Sequence, residues 1–298
     1  MKLFVNDLTV MDFSYLCPVR GMVGESWIVD IVLDGGLNEE SMVQDFGIVK
    51  KQLKSLIDDY IDHKLVIPAE SENTTVVHNG GSDAVDVAFR FAKPAGSSKY
   101  ILLRCPSEAY AFVYANEIDK PSVIRYLKDI ISTQLPQNVH AIDIVLREEH
   151  ITSPYYHYTH GLKKHDGNCQ RIAHGHRSKI IINEKGTRSE VLEQHWASKW
   201  EDIYIGTRED LVPLNACVID EMARQYQCAD ADYYAFQYES SQGQFSMIIA
   251  KSVCDIIDAD STVECIAQHI FESTKQLSDS EIQVKAFEGV GKGAFVDG

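Results

Sequence analysis

Three histidines fall close together in the second half of the chain, His160 and then His174-Gly175-His176. In an extended strand, residues i and i+2 point to the same face, so His174 and His176 can grip one ion together. His160, on the preceding strand of a hairpin, supplies a third nitrogen. Three imidazoles with an open fourth position suit a catalytic zinc, whereas a fourth protein ligand would suit a structural one. Cys169 lies in the intervening loop, four residues short of the His-Gly-His run. A nearby cation favours thiolate over thiol, and a thiolate can act as base or nucleophile. Taken singly, these residues read equally as surface histidines and an inert loop thiol; the set is what points to metal chemistry.

The same stretch is locally basic. Residues 163–188 carry seven cations (Lys163, Lys164, Arg171, Arg177, Lys179, Lys185 and Arg188) against Asp166 and Glu184. This reads either as a landing site for a polyphosphate substrate or as a solvated charged face.

The elements that position these residues are duplicated. Asp119-Lys120-Pro121-Ser122-Val123 aligns with Ala259-Asp260-Ser261-Thr262-Val263, and the offset of 140 holds without a gap to Glu148 and Glu288. Each half therefore ends in a β-like run closed by a glutamate. At the starts, Phe13–Cys17 aligns with Tyr156–His160, and the β-branched run 26–35 with 177–186. Ser153-Pro154 breaks regular structure, giving domains 1–150 and 151–298. Helices are expected at 41–61, 122–132 and 262–275, the first with Phe46, Val49, Leu53, Leu56 and Tyr60 on its buried face. Strand pairs at 3–16 with 26–33 and at 99–104 with 110–115 read as antiparallel hairpins. Helices on one face of antiparallel sheets make an α+β fold.

Composition narrows the function. The 298 residues carry 44 acidic against 28 basic side chains, a net charge of −16 that repels nucleic acid and anionic membranes. No apolar run reaches the ~18 residues of a membrane helix. The N-terminus turns acidic too early for a secretory signal. Seven scattered cysteines without a CxxC pair read as reduced thiols. A cytoplasmic protein is expected.

Together the aromatic-x-x-x-His strand, loop cysteine, His-Gly-His strand and terminal glutamate resemble the 6-pyruvoyltetrahydropterin synthase / 6-carboxytetrahydropterin synthase family. Val43-Gln44-Asp45-Phe46-Gly47, Asp62-His63 and Ser261-Thr262-Val263-Glu264-Cys265 add to the likeness. It spans both halves apart from inserts at 69–116 and 187–250. The resemblance implies two tandem tunnelling-fold units, each a four-stranded antiparallel sheet with two helices on one face, assembled into a homo-oligomer. It implies Zn2+ on His160, His174 and His176, Cys169 as catalytic thiol, and Asp62 and His63 as the pair serving it. It also implies Glu288 as the pterin anchor, with Thr262 and Glu264 as neighbours.

The departures divide the labour. The first half places Cys17, Val23 and Glu25 at its ligand positions, and its loop is too short to hold a cysteine like Cys169. The second half shows no Asp-His pair. One composite site per chain is therefore expected. The implied activity is that of a zinc-dependent lyase converting 7,8-dihydroneopterin triphosphate to 6-carboxy-5,6,7,8-tetrahydropterin, on the route to 7-deazaguanine and queuosine. The alternatives are 6-pyruvoyltetrahydropterin synthase activity, or a non-catalytic zinc-containing binder of pterin or purine. Two other motifs fail on context: Asp45-Phe46-Gly47 lacks the kinase loops, and Gly289–Gly293 lacks P-loop spacing.

Overall fold

The computed structural model describes residues 1–78, 80–93, 95–278 and 280–298. The first half runs β1 (Lys2–Cys17), β2 (Gly21–Gly35), α1 (Phe46–Tyr60), β3 (Leu65–Pro68), β4 (Thr74–His78), β5 (Ala84–Phe91), β6 (Lys99–Pro106), β7 (Tyr110–Val113), α2 (Lys120–Ser132) and β8 (Val139–Glu148). The second runs β9 (Tyr155–His160), β10 (His174–Glu184), β11 (Thr187–Arg188), α3 (Glu190–Lys199), β12 (Glu201–Thr207), β13 (Leu211–Val212), α4 (Asp220–Gln225), β14 (Tyr233–Ser240), β15 (Gly243–Ala250), β16 (Cys254–Ile257), α5 (Val263–Lys275), β17 (Ile282–Phe287) and β18 (Gly293–Asp297).

The repeat is visible in the topology. The first sheet has the order β7-β3-β1-β2-β8, and the second has β16-β12-β9-β10-β17, extended by β18 and by β11 on β10. Corresponding strands pair in the same sense: β1/β2 and β9/β10 antiparallel, β1/β3 and β9/β12 parallel. Each half-sheet thus has five strands in common rather than the expected four, and it is mixed. The chain crosses over through α1 or α3, so the strand that follows lies parallel to the first.

The helices begin where side chains cap them. Asp45 accepts from Ile48 N, Asp119 and Ser122 form a capping box on α2, and Thr262 accepts from Cys265 N on α5. The buried stripe of α1 is Val49, Leu53 and Ile57. Phe46 and Tyr60 were expected on it but are exposed, because Phe46 occupies the first turn and Tyr60 the last.

The inserts are neither independent nor as long as expected. Residues 187–207 hold α3 and β12, the counterparts of α1 and β3, so that stretch belongs to the repeat. The remaining segments meet in one six-stranded sheet, β13-β14-β15-β6-β5-β4, joined where β15 pairs antiparallel with β6. The expected hairpin of 99–104 with 110–115 does not form. A 3-10 turn at Ser107–Ala109 carries the chain from β6 in this sheet to β7, which pairs parallel with β3 in another. Leu16, Met22, Leu65, Ile172 and Tyr204 from the two half-sheets share a buried cluster with Phe89, Leu102, Phe236 and Ile248 of the third sheet. That shared burial is what seats the third sheet on both halves.

The half-sheets meet across a glycine pair. A Cβ on Gly24 would lie 1.9 Å from Tyr158 O, and one on Gly175 would lie 2.7 Å from Gly24 Cα. Beside them, Ser14 Oγ and Thr159 Oγ1 are 2.7 Å apart. In the strand registers Ser14 faces Gly24 and Thr159 faces Gly175. The contact therefore joins equivalent positions, and it fixes the alignment of the halves. By that alignment the counterparts of His160, His174 and His176 are Tyr15, Val23 and Glu25. Cys17, expected opposite His160, lies two residues too far along β1. Among the described residues no helix is long and apolar enough to cross a membrane.

Candidate metal and thiol site

His160 ends β9 and faces His174 at the start of β10. The alternation of β10 turns His176 to the same side, and all three imidazoles are buried. One ligand nitrogen from each lies within 4.8 Å of the others. Each ring is held through Nδ1. His160 Nδ1 is 2.8 Å from Ser261 O, and His174 Nδ1 is 3.1 Å from Arg171 O. His176 Nδ1 is 3.2 Å from Asp12 Oδ1, an ion-pair contact short of hydrogen-bond geometry. His160 Nε2 and His176 Nε2 are buried without a hydrogen-bond partner. Burial holds His160 and His174 well below the ordinary imidazole pKa, so they stay neutral. Three buried rings with ligand nitrogens close together, two of them held neutral and anchored through Nδ1, have the chemistry of a zinc ligand set. The residues fit the metal.

The first half completes this site. His63, Cys169 and His174 form a second group with ligand atoms within 4.8 Å, and the His63 and His174 rings are 5.2 Å apart. Asp62 Oδ2 is 2.6 Å from His63 Nδ1, and Asp62 Oδ1 accepts from Asp12 N at 2.7 Å. His63 has φ +54, a left-handed conformation uncommon for a side-chain-bearing residue, and its N–H donates to Asp12 O at 2.7 Å. Its counterpart in the second half is Asp202, with φ +53. Burial opposes the His63 imidazolium, but Asp62 and the Cys169 thiol outweigh it and push its pKa up to about 10. An imidazolium here can donate to Cys169 and stabilise a thiolate.

The third sheet holds the thiol loop. Cys169 lies in a 3-10 turn, Asn168–Gln170. The fully buried Gln170 accepts from Ser240 Oγ at 2.5 Å and Gln242 N at 2.8 Å, and donates to Ser241 Oγ at 2.9 Å. Gln242 also accepts from Arg171 Nε and donates to Asn168 Oδ1. The tip of the β14–β15 hairpin therefore clamps both sides of Cys169.

Glu288 Oε1 is 3.9 Å from His176 Nε2, and Glu288 Oε2 is 3.9 Å from Lys292 Nζ. Lys292, inside the glycine-rich tail that lacks P-loop spacing, also reaches Asp12 Oδ2 at 3.1 Å. Thr262 uses its hydroxyl as the α5 cap, and Glu264 is exposed in the first turn. Among the described residues neither is tied by a hydrogen bond or ion pair to Glu288 or to the three histidines.

The basic stretch does not gather into one patch. Lys163 pairs with Asp210 at 2.7 Å, Lys164 with Asp260 at 2.9 Å, Lys179 with Glu149, and Arg188 with Glu193 at 2.7 Å. Four of its seven cations are thus paired with acidic residues outside the stretch. Beside Lys292, the cations near the site are Arg171, whose Nη1 is 3.5 Å from His63 O, and Lys64, whose Nζ donates to Glu108 O. Burial and the neighbouring Arg171 push Lys64 down to about 8.

Sequence reasoning missed Asp12, Ser26, Ser261, Gln170 and Lys292. Of these, Asp12 carries a local signal, a carboxylate among the apolar residues Val10, Met11 and Phe13.

Fold and site together give an α+β chain whose two mixed sheets share a strand order, and in which a three-histidine cluster adjoins a Cys-His-Asp group. No protein-family model and no curated protein sequence matches the chain. Among solved structures, 6-pyruvoyl tetrahydropterin synthase from Plasmodium vivax aligns with 51% of this chain and 93% of its own, at 14% identity and TM-score 0.39. The Plasmodium falciparum enzyme aligns with 49% and 90%, at 14% identity and TM-score 0.36. A likeness of that size carries no functional argument, which rests on the site geometry.

Proposed function

We propose that this chain is a zinc-dependent lyase acting on 7,8-dihydroneopterin triphosphate, forming 6-carboxy-5,6,7,8-tetrahydropterin with release of acetaldehyde and triphosphate. The observation that carries this reading is the convergence of three buried histidines with Cys169, His63 and Asp62 from both halves. His160, His174 and His176 would hold the zinc, which when bound supplies Lewis acidity toward the substrate's side-chain oxygens. Cys169 Sγ and the His63 imidazole take up and return protons at the adjacent carbons. Asp62 holds His63 Nδ1 and so fixes its tautomer and its charge. Glu288 accepts from the adjacent N–H groups of a 2-amino-4-oxo ring, as a carboxylate can do through both oxygens. Thr262 and Glu264 flank this recognition edge in the same reading. The partner is a soluble small molecule, and the assembly is a cytoplasmic homo-oligomer of chains whose halves are residues 1–150 and 151–298.

Incubating zinc-loaded protein with 7,8-dihydroneopterin triphosphate and identifying the products by mass spectrometry tests the reading. Carboxytetrahydropterin with acetaldehyde is expected. A pyruvoyl product would assign the sister activity, and unconsumed substrate would contradict both.

A further inference from the structure

A cavity lies where the matching strand orders place the counterparts of Asp12, His176 and Glu288. It has a volume of about 540 Å³ and is lined by Arg20, Glu25, Glu148, Tyr155, His157 and Arg177, among others. Under the alignment fixed by the glycine contact, Glu148 is the counterpart of Glu288 and Glu25 of His176. His157 is the counterpart of Asp12. The cross-half contact is kept with its chemistry exchanged. Where Asp12 of the first half meets His176 of the second, His157 of the second half meets Glu25 of the first, at 3.9 Å.

The metal chemistry is gone from this copy. Tyr15 and Val23 replace two ligands, and among the described residues the metal-competent groups are confined to the first site. Arg20 fills part of the vacated space, donating to Asp202 at 2.5 Å and to Tyr15 Oη at 3.0 Å. The recognition chemistry is not gone. Glu25 is 5% exposed, and one of its oxygens accepts from Ser26 N. His157 Nδ1 donates to Gly24 O at 2.7 Å, so that Nε2 is the acceptor of the neutral ring. Burial and the nearby Arg20 hold His157 down to about 4. Arg177 is spread over the Tyr155 ring at 4.3 Å.

We infer that this cavity is a second, metal-free binding site for a small planar nitrogen heterocycle of the pterin or guanine class. Such a ring offers adjacent N–H donors to Glu25 and to Glu148 Oε2, the oxygen that Lys120 does not take, and a carbonyl to the edge of the Arg177 guanidinium that Glu149 O does not take, and a cavity of this volume holds a bicyclic ring. With neither metal nor thiol, the site binds without turnover. The ligand class rests on the function proposed above; the existence of a second site rests on the cavity and the repeat.

Fluorescence titration of zinc-loaded protein with neopterin separates the two. Two molecules per chain are expected for the wild type. Glu288→Gln should retain one, bound through Glu148. Glu148→Gln should retain the other, and Glu25→Gln should weaken the Glu148 site at least tenfold, with thermal melts confirming that each variant is folded. One molecule per chain, abolished by Glu288→Gln and untouched by Glu148→Gln, would overturn the second site and leave the proposed function standing. No binding at either site would overturn both.

Discussion

Asp12, from the first half, places Oδ1 3.2 Å from Nδ1 of His176, from the second. Its own environment is built for this. Ser26 Oγ donates to Asp12 Oδ1 at 2.5 Å, Lys292 reaches Oδ2, and the backbone N–H holds Asp62. Burial alone would raise the Asp12 pKa, but His176, Lys292 and Ser26 hold it well below the usual carboxylate range. One residue thus orients a proposed metal ligand with its side chain and the Asp-His pair with its main chain.

Asp12→Asn keeps the shape and removes the charge. Loss of such a partner typically weakens metal affinity by about 10–100-fold. Zinc competition against a chelating dye should show that loss in a variant whose thermal melt remains cooperative. Unchanged affinity would remove Asp12 from this role.

Metal content follows from the unequal halves. With Tyr15, Val23 and Glu25 where the second half has histidines, purified protein should carry one zinc per chain by elemental analysis. His174→Ala should lose it, and Cys169→Ala should keep it. Two zinc ions per chain would contradict the reading of the first half.

The glycine contact makes a stability prediction. Gly24→Ala would put a methyl 1.9 Å from Tyr158 O and 2.6 Å from His176 N, both backbone atoms that cannot rotate away. Forcing the sheets apart should cost about 1–3 kcal/mol by the usual scale of overpacking. It should also lower zinc affinity, because β10 carries two of the ligands. A wild-type denaturation midpoint in Gly24→Ala would show that the sheets do not meet there.

Much of the site was legible because its signals are local. His174 and His176 are two apart on one strand, His160 is one short loop away, and Asp62-His63 are adjacent. The repeat was legible where its offset is constant, from α2 to Glu148. What escaped depends on distant pairings. β3 and β7 are four residues each and pair in parallel with remote strands, so no local pattern announces them. The third sheet needs β6 and β15 to meet across almost 150 residues. The Cys17 misalignment arose because matching aromatics suggested one register, while the Gly24–Gly175 contact imposes another.

Glu25 gives a pH prediction. Burial raises its carboxyl from 4.5 to about 7, reinforced by Glu148 and opposed by Ser26 N–H, Arg177 and Arg20. A raised folded-state pKa means the protonated form is favoured by folding. That stability is fully present below about 4.5 and is lost as pH rises through about 7. Glu25→Gln should therefore gain on the wild type between pH 5 and 8, by up to about 3 kcal/mol. A pH-independent difference in melting temperature would contradict the burial argument.

The central claim is one composite site within one chain, and chain mixing tests it most directly. His63→Ala and Cys169→Ala should each lower turnover of 7,8-dihydroneopterin triphosphate by about 10²–10⁴-fold, as removal of an acid–base group does. His63 and Cys169 meet inside a single chain, so every chain in a co-refolded mixture still carries one broken element. The mixture should show no more activity than the mean of the two variants. Recovery toward a quarter or more of wild-type turnover would mean that the halves combine between chains, contradicting the composite site described.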